Sequence, residues 1–143
     1  MQENRKMVNV VAGLVLKDGK VILAKRKKGD PLEGLWEFPG GKVEKNENLF
    51  EALVRELKEE LNIKVKPIKV LEEIEHHYPH ISFRMYLILA LTNDDPVAIE
   101  SEEIILVTLE DVDSINLAPA DRIIWKKINK TYGNISKNLL KIL

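Results

Sequence analysis

The chain has 143 residues, of which 45% are hydrophobic and 31% charged, and its 22 basic side chains nearly balance 23 acidic ones. These values are typical of one globular domain, here residues 1–143, and they exclude a disordered chain, a transmembrane segment and the positive field that binds a nucleic-acid polymer. Because the chain contains no cysteine, disulfides and cysteine metal sites are also excluded, and any metal must be held by oxygen or imidazole.

The predicted strands share runs of apolar and β-branched residues. They cover residues 8–16, 21–24, 35–38, 68–77, 81–91 and 104–109. Asp18-Gly19, between the first two strands, is typical of a hairpin turn, and Pro39-Gly40-Gly41 after the third predicts a tight loop. The residues before the first strand lack the apolar core and cleavage site of a signal peptide, which predicts a cytoplasmic protein without a membrane partner.

Two helices are predicted, each with an apolar face. Asn48 and Glu51 have the spacing of a capping box, so the first helix covers residues 49–61, and Asn62 ends it because asparagine tolerates the left-handed conformation. The second helix covers residues 120–128. The residues expected on the two apolar faces are Phe50, Leu53, Val54, Leu57 and Leu61 in the first helix, and Ile123, Ile124 and Ile128 in the second.

The first helix carries carboxylates opposite its apolar face. Glu56 lies three residues before Glu59 and four before Glu60, so these side chains converge within one turn. Because like charges repel, a bound cation would make the arrangement favourable, and all-oxygen ligands suit Mg²⁺, with Mn²⁺ as the alternative. Taken alone, the same pattern also fits a solvated acidic face.

The residues around this helix match a longer spacing, GX5EX7REUXEEXGU, in which U is a bulky aliphatic residue. Over residues 41–63 the matching positions are Gly41, Glu47, Arg55, Glu56, Leu57, Glu59, Glu60 and Ile63. This pattern resembles the box of the Nudix hydrolase family. Asn62 stands where the family has glycine, and since both residues tolerate the left-handed conformation, the departure concerns the helix end and not the metal site.

Two flanking segments, residues 34–44 and 117–121, are similar to those of MutT-type nucleotide pyrophosphohydrolases, and most of all to bacterial CTP pyrophosphohydrolases. With the box, they extend the resemblance over residues 8–128. The resemblance implies the Nudix fold, an α+β architecture in which helices sandwich a mixed β-sheet. Its implied activity is the Mg²⁺-dependent hydrolysis of a nucleoside triphosphate to a monophosphate and pyrophosphate, which would remove nucleotides such as 8-oxo-dGTP or (d)CTP forms.

Other functions remain open at this point. Another diphosphate substrate such as ADP-ribose is compatible with the family, and a non-catalytic module that only binds nucleotide is a further alternative, although the intact box argues against it. The oligomeric state, monomer or homodimer, is also open.

The resemblance assigns roles to residues of the box by their position. The implied metal ligands are the carbonyl of Gly41, or of its neighbour Gly40, and the carboxylates of Glu56, Glu59 and Glu60. Arg55 and Glu47 would orient these carboxylates, and Glu56 is also the first choice for the general base. Many relatives add a glutamate from a later loop, for which Glu100 is favoured over Glu102 and Glu103.

Candidate substrate-binding residues lie outside the box. Arg26 matches a basic position of the relatives and would meet phosphate, and Arg84 is a second candidate for phosphate or ribose. Asp121 matches their base-pocket position, and when ionised it would accept a hydrogen bond from the exocyclic amine of a base. Phe83 lies either in the pocket wall or in the core.

Overall fold

A seven-stranded mixed sheet forms the centre of the computed structural model, which describes residues 7–143. Its strands are β1 (Val8–Lys17), β2 (Lys20–Lys25), β3 (Trp36–Glu37), β4 (Gly40–Lys42), β5 (Lys66–Tyr78), β6 (Ile81–Leu91) and β7 (Glu103–Val107). β1 and β6 pair in parallel, β5 pairs with β6, β3 and β7 pair with β2, and β4 pairs with β1. The helices are α1 (Leu49–Leu61), α2 (Pro119–Thr131) and α3 (Ile135–Ile142).

The predicted hairpin between β1 and β2 is confirmed. Asp18 and Gly19 both have positive φ, 50° and 77°, as a tight hairpin turn requires. The tight loop predicted around Gly40 is wrong, because Gly40–Lys42 forms a strand that pairs with β1. Glycine is needed there, since a Cβ on Gly40 would lie 1.9 Å from the carbonyl oxygen of Val11.

α1 has the predicted bounds, and its ends are held as the sequence indicates. The side chain of Asn48 accepts a hydrogen bond from the Glu51 amide, and the Glu51 carboxylate accepts one from the Asn48 amide. Asn62 adopts φ 53° and ψ 40°, so it replaces glycine at a left-handed helix end. The apolar stripe is narrower than predicted, because Phe50 and Val54 lie at its exposed margin.

α2 is longer than predicted and presents a different face to the core. Ile124 and Ile128 are buried as expected, but Ile123 is 45% exposed and Trp125 takes the buried position beside Ile124. The Trp125 ring lies 5.8 Å from that of Phe38, so the helix packs directly behind the β3–β4 connection. α3 was not predicted from the sequence.

Both faces of the sheet are covered by apolar side chains. One core cluster lies between the sheet and the carboxyl-terminal helices α2 and α3, and the second lies between the sheet and α1. The two clusters alternate along β1, since Ala12, Leu14 and Leu16 belong to the first and Val11 and Val15 to the second. The predicted fold class, a mixed sheet sandwiched between helices, is confirmed.

The segment between β6 and β7 returns to the carboxyl end of α1. The amide of Val97 donates to the carbonyl of Leu61 at 2.9 Å, and the amide of Ile99 donates to the carbonyl of Glu60 at 3.2 Å. Two helix-end carbonyls that would otherwise lack a partner are thereby satisfied. Within residues 7–143, no helix combines the length and the apolar character needed to cross a bilayer.

Candidate active site

Arg55 organises the polar face of α1. Its Nε and Nη2 donate to the two carboxylate oxygens of Glu47, at 2.6 and 2.9 Å, and Nη2 also donates to the carbonyl of Lys42 at 2.9 Å. Nη1 donates to Glu56 at 3.0 Å and to Glu59 at 3.3 Å. The planar guanidinium therefore fixes the direction of two box carboxylates, as the resemblance implies for Arg55 and Glu47.

Gly41 makes room for Glu56. A Cβ built on Gly41 would lie 2.4 Å from the carboxyl carbon and from Oε2 of Glu56, which is too close for any side chain larger than hydrogen. The Glu56 carboxylate thus lies directly against the backbone of β4, beside the carbonyl that the resemblance assigns to the metal shell. The glycine of the box is required by this close approach.

Glu60 is the most buried carboxylate of the box, with 6% of its surface exposed. Burial, followed by the charges of Glu37, Glu56 and Glu100, raises its pKa to about 8, and a hydrogen bond from the Gly40 amide opposes this rise. Burial also raises the pKa of Glu56, to which the charge of Glu100 contributes. These carboxylates lie close enough to disfavour one another's charge, which is the electrostatic setting that a divalent cation relieves.

Among the three glutamates of the β6–β7 region, the structure brings Glu100 to the box. Glu100 borders a cavity of about 170 Å³ together with Glu60, Glu37 and Arg26. Glu102 instead donates its amide to the carbonyl of Lys25, and Glu103 belongs to strand β7. The position of Glu100 agrees with the preference for it over Glu102 and Glu103. A role of Glu100 in the site remains a prediction.

The donor set fits a hard divalent cation. The groups that face one another are carboxylates, whose oxygens are ligands that Mg²⁺ and Mn²⁺ prefer. In the part of the chain from residue 7 onward, no three His, Asp or Glu side chains are already gathered closely enough to hold a metal ion. Glu56 and Glu59 are instead drawn toward Arg55.

A second cavity, of about 320 Å³, lies on the other side of Arg26 and has apolar walls. Phe83 lines it and is itself 8% exposed, so this ring belongs to both the pocket wall and the core. Met85 and Phe38 extend the apolar wall, and Asp121 contributes a carboxyl group at the start of α2. An apolar pocket with a few polar groups is typical of a site for an aromatic ring such as a nucleobase.

Asp121 is held against the backbone of the β3–β4 connection. Its Oδ1 accepts a hydrogen bond from the Phe38 amide at 2.9 Å. Burial, followed by the charge of Glu37, raises the pKa of Asp121 well above its usual range. The role predicted for Asp121 from the sequence assumes the ionised form, but burial favours the neutral acid, which donates as well as accepts a hydrogen bond.

Arg26 and Glu37 form the wall that the two cavities share. Nη1 of Arg26 donates to Glu37 at 3.0 Å, and its Nε and Nη2 bind Asp30. Arg26 therefore lies at the expected place, although its guanidinium is already engaged by carboxylates. Glu37 was not predicted as a site residue. The only sign of such a role in the sequence was its position in segment 34–44, which is similar to MutT-type enzymes.

Arg84, the alternative phosphate ligand, lies away from both cavities. It binds the carboxylate of Glu75 on the exposed part of the β5–β6 pair. Neither cavity includes it.

The Arg55–Glu47 contact leads to a testable prediction. Arg55 lowers the pKa of Glu47, so Glu47 is ionised at neutral pH, and Glu47→Gln removes the charge that holds the guanidinium in place. We expect kcat to fall about 10- to 100-fold, because Arg55 no longer fixes the direction of Glu56. The measurement is steady-state hydrolysis at saturating Mg²⁺.

Glu44→Gln provides the matched control. Glu44 also lies near Arg55, at 3.4 Å from Nη1, but its side chain is 63% exposed. An exposed pair of this kind contributes little, so its kcat should stay within about twofold of wild type. Equal losses in the two variants would contradict the role of Glu47.

Comparison with known proteins identifies the family of the chain. The NUDIX domain profile matches residues 10–127, and the chain belongs to this family. It is 39% identical over 120 residues to the CTP pyrophosphohydrolase of Escherichia coli K12, covering 81% of this chain and 87% of that protein. It is 40% identical over 83 residues to the 8-oxo-dGTP diphosphatase of Buchnera aphidicola subsp. Schizaphis graminum, covering 58% of this chain and 64% of that protein.

A solved structure is similar as well. The solution structure of the E. coli ORF135 protein superimposes with a TM-score of 0.76 at 32% identity, and the match covers 85% of this chain and 88% of that one. The family resemblance inferred from residues 41–63 is therefore confirmed.

Proposed function

We propose that this Nudix protein hydrolyses a nucleoside triphosphate to the nucleoside monophosphate and pyrophosphate, and thereby removes 8-oxo-dGTP or modified (d)CTP from the nucleotide pool. The observation that carries the proposal is the adjacency of two cavities, one apolar and one lined by carboxylates, which share Arg26, Glu37 and Gly40 as a common wall. A base in the first cavity would direct its phosphates toward the second. The names of the relatives, CTP pyrophosphohydrolase and 8-oxo-dGTP diphosphatase, support this substrate class.

Glu56, Glu59, Glu60 and the carbonyl of Gly41 would hold Mg²⁺ or Mn²⁺, with Glu100 completing the set from the β6–β7 loop. The ion would neutralise the roughly four negative charges of a triphosphate and lower the pKa of a bound water. The fit rests on the oxygen-only donor set and on the space that Gly41 leaves for the Glu56 carboxylate.

Glu56 would act as the general base. Burial raises its pKa above the usual range of a glutamate, which increases its affinity for a proton taken from the attacking water. Arg55 opposes this rise and fixes one carboxylate oxygen at 3.0 Å, which sets the direction of the carboxylate. Glu47 in turn fixes Arg55.

The base would bind in the apolar cavity, and the phosphates would bind in the cavity lined by carboxylates. Phe83 provides apolar contact for the base, and Asp121 provides the hydrogen bond that distinguishes one base from another. Arg26 lies between them, where the ribose and first phosphate would pass. We further infer that one domain carries all of these groups, since both core clusters share the strands of a single sheet.

The function is tested by the phosphate species that is released. Each triphosphate of a panel containing CTP, dCTP, dTTP, UTP and 8-oxo-dGTP is hydrolysed with and without added inorganic pyrophosphatase, and orthophosphate is measured. We expect orthophosphate only when pyrophosphatase is present, and no nucleoside monophosphate after Mg²⁺ is chelated.

Three results would contradict the proposal. Orthophosphate in equal amounts with and without pyrophosphatase would place the attack at the terminal phosphorus. Faster hydrolysis of ADP-ribose than of every triphosphate, measured by chromatography of the released nucleoside monophosphate, would change the substrate class. Nucleotide binding without any hydrolysis would indicate a non-catalytic module.

A further inference from the structure

Tyr78 stands at the mouth of the apolar cavity, at the end of β5. Its ring centroid lies 5.7 Å from that of Phe83 and 4.3 Å from that of His76, so neighbouring rings fix its orientation. Its hydroxyl oxygen accepts a hydrogen bond from the amide of Ala120, at 3.0 Å, in the first turn of α2. Tyr78 is therefore attached to the same helix turn that carries Asp121.

The hydroxyl of Tyr78 retains a hydrogen that no side chain or carbonyl accepts within residues 7–143. A tyrosine hydroxyl has one donor hydrogen in addition to its acceptor lone pairs, and here the Ala120 amide uses only a lone pair. Burial raises the pKa of Tyr78, with the charges of Asp121 and Glu37 adding to the rise, so the hydroxyl stays protonated at neutral pH. The cavity thus presents a hydrogen-bond donor beside the Asp121 carboxyl.

We propose that Tyr78 is a specificity-determining residue, whose hydroxyl donates a hydrogen bond to a carbonyl oxygen or unprotonated ring nitrogen of the bound base. The proposal rests on the proposed function, because it places the base in the apolar cavity. Tyr78 and Asp121 would then form hydrogen bonds to neighbouring atoms on one edge of the base. The ring of Tyr78 forms part of the cavity wall, and its hydroxyl distinguishes bases by the hydrogen-bond acceptors that they present.

The hydroxyl also satisfies the Ala120 amide, which offers a purely structural explanation for its position. The two roles differ in what they predict. Loss of a structural contact would loosen the first turn of α2, displace Asp121 with it and lower the melting temperature. Loss of a donor to the base would weaken nucleotides unequally, according to the acceptors that each base presents.

Tyr78→Phe separates these roles, because it removes the hydroxyl and keeps the ring. Dissociation constants are measured by calorimetry for CMP, dTMP, dAMP and 8-oxo-dGMP, and the melting temperature of each variant is recorded. We expect the tightest of these ligands to bind about three- to tenfold more weakly, and the ratio between tightest and weakest to shrink accordingly. Tyr132→Phe is the matched control, since that hydroxyl donates to the Leu71 carbonyl, a backbone group that borders neither cavity.

An unchanged ratio in Tyr78→Phe overturns the proposal, whether or not the absolute affinities fall. A melting temperature of Tyr78→Phe well below that of Tyr132→Phe, with or without a changed ratio, assigns Tyr78 a structural role only. Monophosphate binding needs no turnover, so a failure of the proposed hydrolysis leaves this comparison valid. A wild-type protein that binds none of the four at millimolar concentration would overturn the placement of the base in the apolar cavity, and with it the role of Tyr78.

Discussion

Replacing Glu60 by glutamine is expected to lower kcat about a hundredfold to ten-thousandfold while the protein stays folded. The substitution removes one carboxylate of the proposed metal site and exposes no apolar surface. Wild-type protein should show a higher melting temperature with millimolar Mg²⁺ than without it, because only the folded state gathers these carboxylates. Glu60→Gln should show a much smaller rise.

The same variant has a testable pH dependence without metal. Because the folded-state pKa of Glu60 is raised from 4.5 to about 8, the folded protein keeps a proton that the unfolded chain releases, and wild-type stability falls as the pH rises across this interval. Glu60→Gln cannot ionise, so it should lose this part of the pH dependence. Thermal melts between pH 5 and pH 8 in the presence of a chelator measure the difference.

Glu110→Gln is the control for both experiments. Glu110 is exposed in the short turn before α2, away from the carboxylates of the box, and its substitution should change neither kcat nor the response to Mg²⁺. Near-normal turnover in Glu60→Gln, or an undiminished rise of its melting temperature with Mg²⁺, would contradict the assignment of Glu60 as a metal ligand.

Gly41→Ala is expected to lower kcat about a hundredfold with a change of only about 1 kcal/mol in the free energy of unfolding. The added methyl group would overlap the Glu56 carboxylate at 2.4 Å. A flexible side chain can turn away from this contact, so the backbone remains in place and the catalytic carboxylate is displaced. Kinetics and chemical denaturation of the same preparation measure the two effects.

Gly40→Ala provides the contrast within the same strand. Its methyl group would meet the backbone of β1, with the Val11 carbonyl oxygen at 1.9 Å and the Ala12 Cα at 2.8 Å. Backbone cannot turn away as a side chain can, so we expect a loss of about 3 kcal/mol or more of stability. A Gly41→Ala enzyme with wild-type kcat would show that Glu56 does not need its position against β4.

Local sequence determined how well each element could be predicted. Asn48, Glu51 and Asn62 act within a few residues of the ends of α1, and the bounds of that helix were predicted correctly. β4 was missed because Gly40–Lys42 becomes a strand only through its pairing with β1, some thirty residues earlier in the chain. Ile123 was misplaced because helical spacing does not reveal how far the buried face of α2 turns toward Trp125.

In the candidate site, too, the local relations could be predicted and the tertiary contacts could not. The relation of Glu56, Glu59 and Glu60 follows from helical spacing, and the family resemblance added Arg55 and Glu47. Helical spacing cannot predict contacts between residues on different strands and helices. The contact between Asp121 and the Phe38 amide joins residues 83 positions apart, and the hydroxyl of Tyr78 meets Ala120 across 42 positions. Burial, which sets the protonation of Asp121, depends on the same tertiary packing.

The hydrogen bonds from Val97 and Ile99 to the end of α1 have a mechanical consequence. They tie the loop that carries Glu100 to the last turn of the helix that carries Glu60, and the bond from Ile99, the residue before Glu100, ends on the carbonyl of Glu60 itself. Glu100 is therefore attached, through its neighbour Ile99, to the end of the helix at Glu60, although the two glutamates are forty positions apart in sequence. An insertion between Asp94 and Val97 would lengthen the loop before this attachment and leave the relation of the two carboxylates intact, whereas an insertion between Ile99 and Glu100 would uncouple them.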